Sequence, residues 1–421
     1  MIVFKFGGAS IKDAASVKNV AEILKLYPEE KILVVVSAMG KTTNALERLT
    51  DAFFYGKEDK KAIIEEIHAF HVKITNELFP SAAHSFHEIL HNTLVEPEWA
   101  VDGTPEYGYD KVYDQVCSCG EVISTKIVSA FLAEKGISNS WLDVRDVIKT
   151  DETWREGKVN WELTQANCDA VLQPHFKNNN IIVTQGFIGG TLENYTTTLG
   201  REGSDYTAAI LAWCMNAKSV TIWKDVPGVL NADPKWFDQT TLIERLTYQD
   251  AIELSYYGAT VIHPKTLKPL QNKNIPLFVL SFLDPKAKGT IIHDVPSPLP
   301  TPCFIFKIKQ VLISISPKDF SFIVEENLSQ IFDVFSRHGV RINTMQNSAI
   351  SFSICVDGNE RRLPALIKAL QQNYRVLYNE DLELVTIRDY NQQTIDRVIA
   401  GKNVLLEVKS RYTVQMVLRN K

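Results

Sequence analysis

Two absences and one scarcity limit what this chain can be. No stretch of its 421 residues approaches the ~18 apolar residues of a membrane span, and Met1-Ile-Val-Phe-Lys lacks the charged region and apolar run of a secretory leader. Neither a membrane nor export is expected. Positive charge is not in excess: 45 Lys and Arg stand against 50 Asp and Glu, a formal net charge of -5, so there is no basic footprint for nucleic acid. Small polar partners fit better. Cysteine is scarce, and the six present, with only Cys117 and Cys119 close together, have neither zinc-finger nor disulfide-scaffold spacing. Free thiols in a reducing compartment follow, with the cytoplasm as the expected place.

What is present is globular, with 45% hydrophobic residues and a length that suggests two or three domains. Short apolar runs at 1–6, 31–38, 139–144, 181–185, 220–223 and 277–280 lack strict alternation, which predicts strands buried on both faces. Helix-period segments lie between them: Asp13–Leu26, with Val17, Val20, Ala21 and Leu24 on one face, and Glu121–Glu134. Strand alternating with helix predicts a parallel sheet covered on both sides. Residues 42 to about 99 read as an inserted helical lobe. Residues 295–302, VPSPLPTP, hold four prolines and suit a stiff linker, so the first domain is placed at 1–294. Beyond it, 303–421 reads as a tandem repeat. The first copy, βαββαβ over about 311–378, is followed by an incomplete one over about 382–421, with strand 303–309 as a candidate to complete it.

The chemistry sits in turns just after strands. The first strand runs into Lys5-Phe6-Gly7-Gly8-Ala9-Ser10 and a helix; two glycines allow an anion close approach, the helix offers N–H groups and Lys5 adds a charge. The spacing is neither GxxxxGK[ST] nor GxGxxG, and by itself a Gly-Gly turn is more often a tight βα connection. The strand ending at Trp223 leads into a further turn, Lys224–Lys235, and hydroxyl-rich turns recur at Ser37–Asn44 and at TTTLGREGSDYTAAILA (196–212) before a helix of small residues. Capping explains one hydroxyl in each, not all. Four such turns at the carboxyl ends of strands, where open parallel sheets bind ligands, point to a small-molecule site.

The blocks KFGGAS at 5–10, SAMGKTTN at 37–44, Gly120-Glu121, TTTLGREGSDYTAA at 196–209, WKDVPGVLNADPK at 223–235 and YQDAIELSYYGATVIHPKTLKPL at 248–270 occur in the order found in aspartokinases. Over about 1–292 the chain resembles those enzymes of the amino acid kinase family, and its tail resembles their paired ACT domains. The resemblance implies an α/β fold: an αβα sandwich with a mainly parallel sheet, followed by two ACT-like (ferredoxin-like) regulatory domains, the second incomplete. It implies phosphorylation of the aspartate side-chain carboxylate by ATP with Mg2+, the first step of aspartate-family amino-acid biosynthesis. Lys5 and Asp205 are then catalytic. Thr43, Glu121, Arg201 and Ser204 take the amino acid, with Arg201 as a fork on its α-carboxylate and Glu121 on its ammonium. Lys5, Gly7, Gly8, Ser10, Lys224, Asp225, Leu230 and Lys235 take the nucleotide. Taken singly, Asp205 and Glu121 are equally acids favoured at a helix start, and His263 before Pro264 reads as a cap.

Three residues depart from the family pattern: Ala9 replaces a usual Thr, Glu202 a usual Gly and Thr260 a common Lys. They leave open a non-catalytic amino-acid sensor or a kinase for another carboxylate such as glutamate. In the tail, Ser348 and Ser351 stand as effector residues, although Ala349 replaces the usual Glu between them and the loop 316–328 has no glycine. ACT-like sheets commonly pair edge to edge, so a homodimer is expected. The chain ending at Lys421 leads us to expect no fused dehydrogenase.

Overall fold

The apolar runs become the strands of one sheet. The structure, a computed structural model, describes residues 1–237, 239–259, 262–294, 301–319 and 321–421. It divides into two compact units. The first comprises Met1–Val229, Glu244–Ile252 and Val261–Ser297, and the second Leu230–Ile243, Glu253–Thr260 and Pro298–Lys421. The expected linker lies largely on 295–300, outside the described residues, as does Thr260.

β1 (Ile2–Phe6) leads through a 3-10 turn at Gly8–Ile11 into α1 (Ala14–Lys25), and β2 (Ile32–Val36) into α2 (Thr42–Tyr55). Asp13 starts α1 by accepting both the backbone N–H and the hydroxyl of Ser16 at 2.7 Å. α3 (Lys60–Leu78), α4 (Phe86–Leu94) and α5 (Glu96–Ala100) continue the helical lobe, and α6 (Tyr109–Glu134) returns to the sheet. β3 (Asn139–Leu142), α7 (Trp161–Asn167), α8 (Gln173–Asn178) and β4 (Ile181–Gln185) precede a hairpin of β5 (Ile188–Gly190) and β6 (Thr196–Thr198). Then come α9 (Gly203–Cys214), β7 (Val220–Lys224), β8 (Arg245–Leu246), α10 (Tyr248–Tyr257), α11 (Pro264–Asn272), β9 (Leu277–Ser281) and β10 (Thr290–Ile292).

The sheet order is β3-β4-β2-β1-β7-β9-β10-β8, parallel throughout except between β9 and β10. β1, β2 and β4 are buried at every residue, as their unbroken apolar runs require. His263 caps α11, its Nδ1 accepting the Lys265 N–H at 3.2 Å. Two local expectations change. Thr196–Thr198 is a strand rather than a turn, and the helix expected from Glu121 begins at Tyr109. Gly120 lies inside that helix because a side chain there would come within 2.9 Å of Ala38 Cβ and 3.1 Å of Leu46 Cδ1. α6 has an 18-residue window apolar enough to cross a bilayer, yet 78% of that window is buried inside the protein.

The second unit holds one six-stranded antiparallel sheet, β12-β13-β11-β14-β16-β15. Its elements are β11 (Cys303–Pro317), α12 (Glu325–Arg337), β12 (Ile342–Asn347), β13 (Phe352–Asp357), α13 (Leu363–Asn373), β14 (Tyr374–Arg388), α14 (Gln392–Ile399), β15 (Lys402–Lys409) and β16 (Thr413–Asn420). Strand 303–309 runs on into the first strand of the first copy as β11, and the last strand of that copy runs on into the second copy as β14. The joins are β-bulges, with Lys309 at φ 53° and Asp381 at φ 54°. The first half of β11 pairs with the second half of β14, so Cys303–Lys307 lies in the sheet of the shorter copy. That copy has one helix, α14; Phe237 and Ala232 join Phe304, Ile387, Ile395 and Val414 in its core, and the Phe237 ring centroid lies 4.6 Å from that of Phe304.

Candidate active site

β1 lies between β2 and β7. The chain leaves β1 for β2 on one side and reaches β7 on the other, so connections diverge at its carboxyl end and leave a crevice there. A cavity of about 740 Å³ occupies that place, entirely within the first unit. Lys5, one residue from the end of β1, points its Nζ to 2.6 Å from Oδ1 of Asp205 in the first turn of α9. Both side chains are nearly out of solvent, at 11% and 3% exposure. A buried cation thus stands beside its counter-ion at a helix N-terminus, where anions are favoured.

Close approach between turns is enforced by glycine. A side chain on Gly8 would come within 2.9 Å of the carbonyls of both Ala38 and Gly40, and one on Gly186 within 2.5 Å of Ser204 Cβ. The Gly40 N–H donates to the Gly8 carbonyl at 3.1 Å, which ties the first two turns together. A Cβ on Gly7 would lie 3.1 Å from the Lys5 ammonium, so that glycine leaves the lysine its room.

Glu121 sits in the middle of α6, not at a helix start, and is 2% exposed. Its Oε1 accepts the Ala38 N–H at 3.2 Å, while Oε2 has no partner among the described residues. Burial pushes its carboxyl up to about 8, against a smaller opposing effect of the Ala38 hydrogen bond. A buried carboxyl with one unpartnered oxygen on a cavity wall is a ready seat for an ammonium group, which would favour its ionised form.

Lys5, Gly8, Thr43, Glu121, Arg201, Ser204, Asp205 and Lys224 all line this cavity. Gly7, Ser10, Asp225, Leu230 and Lys235 do not. The Ser10 hydroxyl donates to the Trp223 carbonyl at 3.1 Å, Asp225 and Lys235 are exposed, and Leu230 and Lys235 belong to the second unit. Ser348 and Ser351 lie on the turn between β12 and β13, their hydroxyls 2.7 Å apart and engaged with each other. Of the departures, Ala9 is exposed. Glu202 is at φ 53°, where a glycine would be unstrained, and its Oε2 is buried without a partner.

Sequence reading passed over Glu47, Tyr113, Arg155, Glu156, Phe187 and Thr198, which also line the cavity. The Tyr113 hydroxyl donates to Glu47 Oε1 at 2.6 Å. A usable signal was Asp114, an acid seven residues before Glu121 and therefore on the same face of an apolar helix. Arg155 and Phe187 add left-handed backbone to the cavity wall, at φ 66° and 70°.

Residues 1–281 match the amino acid kinase family. The chain is 31% identical over 399 residues to the lysine-sensitive aspartokinase 3 of Escherichia coli (strain K12), covering 92% of this chain and 86% of that protein. It is 31% identical over 371 residues to the chloroplastic aspartokinase 1 of Arabidopsis thaliana, covering 84% of this chain and 63% of that one. The crystal structure of E. coli aspartokinase III in complex with aspartate and ADP superposes with a TM-score of 0.83 at 26% identity, covering 99% of this chain and 96% of that one. With its blocks, sheet and cavity in that family's order, the chain belongs to the amino acid kinase family, among the aspartokinases.

Proposed function

We propose that this cavity transfers the γ-phosphate of ATP to the side-chain carboxylate of L-aspartate, giving 4-phospho-L-aspartate and ADP. The observation that carries the reading is the convergence of the Lys5–Asp205 pair, Arg201 and the buried Glu121 carboxyl on one cavity. The solved relative holding aspartate and ADP supports it. A carboxylate of pKa ~4 is already ionised at neutral pH, so its oxygen attacks the γ-phosphorus without a general base. The bond from that phosphorus to the β–γ bridging oxygen breaks, and ADP leaves with the electron pair.

Catalysis is then alignment and charge stabilisation. Lys5 faces the transferring phosphate, and Asp205 fixes where its ammonium stands. Arg201 grips the α-carboxylate in a bidentate fork, Glu121 takes the α-ammonium, and Thr43 and Ser204 contact the amino acid. Lys224 lies on the nucleotide side; Gly7, Ser10, Asp225, Leu230 and Lys235 are given to the nucleotide on the family resemblance alone. Magnesium is implied by ATP, whose phosphates would carry it and whose charge it would offset. In this reading 1–294 is the catalytic domain and 303–421 the regulatory region.

β12 and β15 are the edge strands of the second unit's sheet, and ACT-like sheets commonly pair edge to edge, which supports a homodimer. Six buried cysteines, none joined in a disulfide among the described residues, support a cytoplasmic setting. Steady-state ADP release with aspartate, with glutamate and with no acceptor tests the function. Aspartate alone should drive turnover; equal rates with glutamate would assign another acceptor, and no rate with either would assign a sensor.

A further inference from the structure

Arg155 and Glu156, from the segment between β3 and α7, form part of the cavity wall, and three contacts fasten their segment to α6. The first is Asp114, fully buried on that helix. Its Oδ2 accepts the Arg155 N–H at 2.9 Å and its Oδ1 accepts the Thr198 hydroxyl at 2.6 Å. The second is Lys111, one turn earlier, whose Nζ lies 3.4, 4.2 and 5.2 Å from the ring centroids of Tyr195, Tyr107 and Trp154. The third runs the other way: the Arg155 guanidinium lies 4.2 Å from the Tyr113 ring centroid. Helix and segment therefore exchange cations for aromatic faces. Arg155 keeps its left-handed φ of 66° under these constraints.

The same segment bears on the turn before Arg201. The Gly157 N–H donates to the Thr198 carbonyl at 2.8 Å. A side chain on Gly200 would meet the Arg155 carbonyl at 3.2 Å and Glu156 Cγ at 3.3 Å, so the segment packs directly on that glycine. Asp114 thus joins two pieces of chain, one ending at Glu156 and the other leading through Thr198, Leu199 and Gly200 to Arg201. Asp114 itself does not line the cavity.

We infer that Asp114 is a positioning residue for the amino-acid end of the site: through the Arg155 backbone and Thr198 it sets the turn that aims Arg201, and the aromatic cage on Lys111 holds the cavity wall in place. This rests on the proposed role of Arg201 as the partner of the substrate α-carboxylate. A guanidinium fork needs two aligned N–H groups, so a small displacement of its turn costs affinity that a nearby point charge does not restore.

The experiment measures KM for both substrates, kcat, aspartate affinity by calorimetry and Tm, in the full chain, for the wild type, Asp114→Ala, Asp114→Asn, Lys111→Met, Arg201→Lys and the Asp114→Ala/Arg201→Lys double variant. Asp114→Ala should raise KM and Kd for aspartate about tenfold, leaving KM for ATP and kcat within about twofold. Asp114→Asn, which keeps one acceptor oxygen, should recover most of that. In the Arg201→Lys background Asp114→Ala should add less than about twofold, because the geometry it protects is already lost. If Asp114→Ala does not fold, Lys111→Met carries the test, with KM for aspartate up about threefold at a Tm close to wild type. Unchanged aspartate affinity in folded variants, or a full tenfold penalty added to that of Arg201→Lys, overturns the inference alone. A wild-type chain that binds no aspartate overturns the reading of the cavity and this inference with it.

Discussion

The Lys5 ammonium lies 2.6 Å from Oδ1 of Asp205, although the two residues are 200 positions apart and one ends a strand while the other begins a helix. The pair exists only because β1 lies at the centre of the sheet and α9 starts at its carboxyl edge. Lys5→Ala or Asp205→Asn should therefore lower kcat by about a hundredfold or more, the usual cost of losing an electrostatic stabiliser. Removing one partner also strands a buried charge in the other, so Tm is measured alongside. Near-normal turnover in a folded variant would remove the pair from the mechanism.

Arg201 is exposed and lines the cavity, where a substrate carboxylate would meet it. Arg201→Lys should raise KM for aspartate while leaving KM for ATP nearly unchanged, because an ammonium cannot reproduce the fork. Parallel changes in both constants would place Arg201 elsewhere in the reaction.

Glu121 predicts a proton signature. Burial raises its carboxyl from 4.5 to about 8 in the ligand-free cavity, so it is largely protonated at neutral pH, and an arriving ammonium favours its ionised form. Aspartate binding at neutral pH should release close to one proton, read from the buffer dependence of the calorimetric enthalpy, and Glu121→Gln should release none. The same shift sets a stability trend. A folded-state value above the unfolded one leaves no penalty below about 4.5 and a growing one as pH rises toward about 8. Glu121→Gln should therefore gain Tm over the wild type as pH rises through that window, while losing aspartate. A Tm difference independent of pH would contradict this.

Regulation follows from the first ACT-like copy. Glu325 and Glu326 occupy the first turn of α12, where they suit the helix dipole and repel an effector carboxylate aimed at the same N–H groups. The Ser348 and Ser351 hydroxyls are already paired with each other. Because allosteric coupling is typically only ~1–3 kcal/mol, loss of a few contacts removes it. Lysine and threonine should inhibit weakly or not at all up to millimolar levels. Half-inhibition well below that, abolished by Ser348→Ala or Ser351→Ala, would show a working effector site.

What the sequence made legible was what lies within one turn and its neighbouring strand. The KFGGAS and TTTLGREGSDYTAA blocks located Lys5, Arg201 and Asp205, and unbroken apolar runs located β1, β2 and β4. Contacts between distant segments stayed hidden. Asp114 meets Arg155 and Thr198 across 41 and 84 residues, and nothing local in either segment names its partner. Glu121 read as a helix start because the constraint on the glycine before it, the packing of Ala38 and Leu46 against Gly120, lies 74 or more residues away. The continuity of β11 and β14 was masked at Lys309 and Asp381, whose left-handed backbone makes a bulge.

The most direct test is to run the reaction with ATP, aspartate and hydroxylamine and identify the trapped product by mass spectrometry. An acyl phosphate on the side chain reacts with hydroxylamine to give the side-chain hydroxamate, so the trapped compound reports which carboxylate was phosphorylated. Aspartate 4-hydroxamate, formed in step with ADP and lost in Lys5→Ala, is the predicted result. ADP released without hydroxamate, or hydroxamate on the α-carboxylate, would contradict the assignment of Arg201 and Glu121 to the α-groups and of Lys5 to the transferring phosphate.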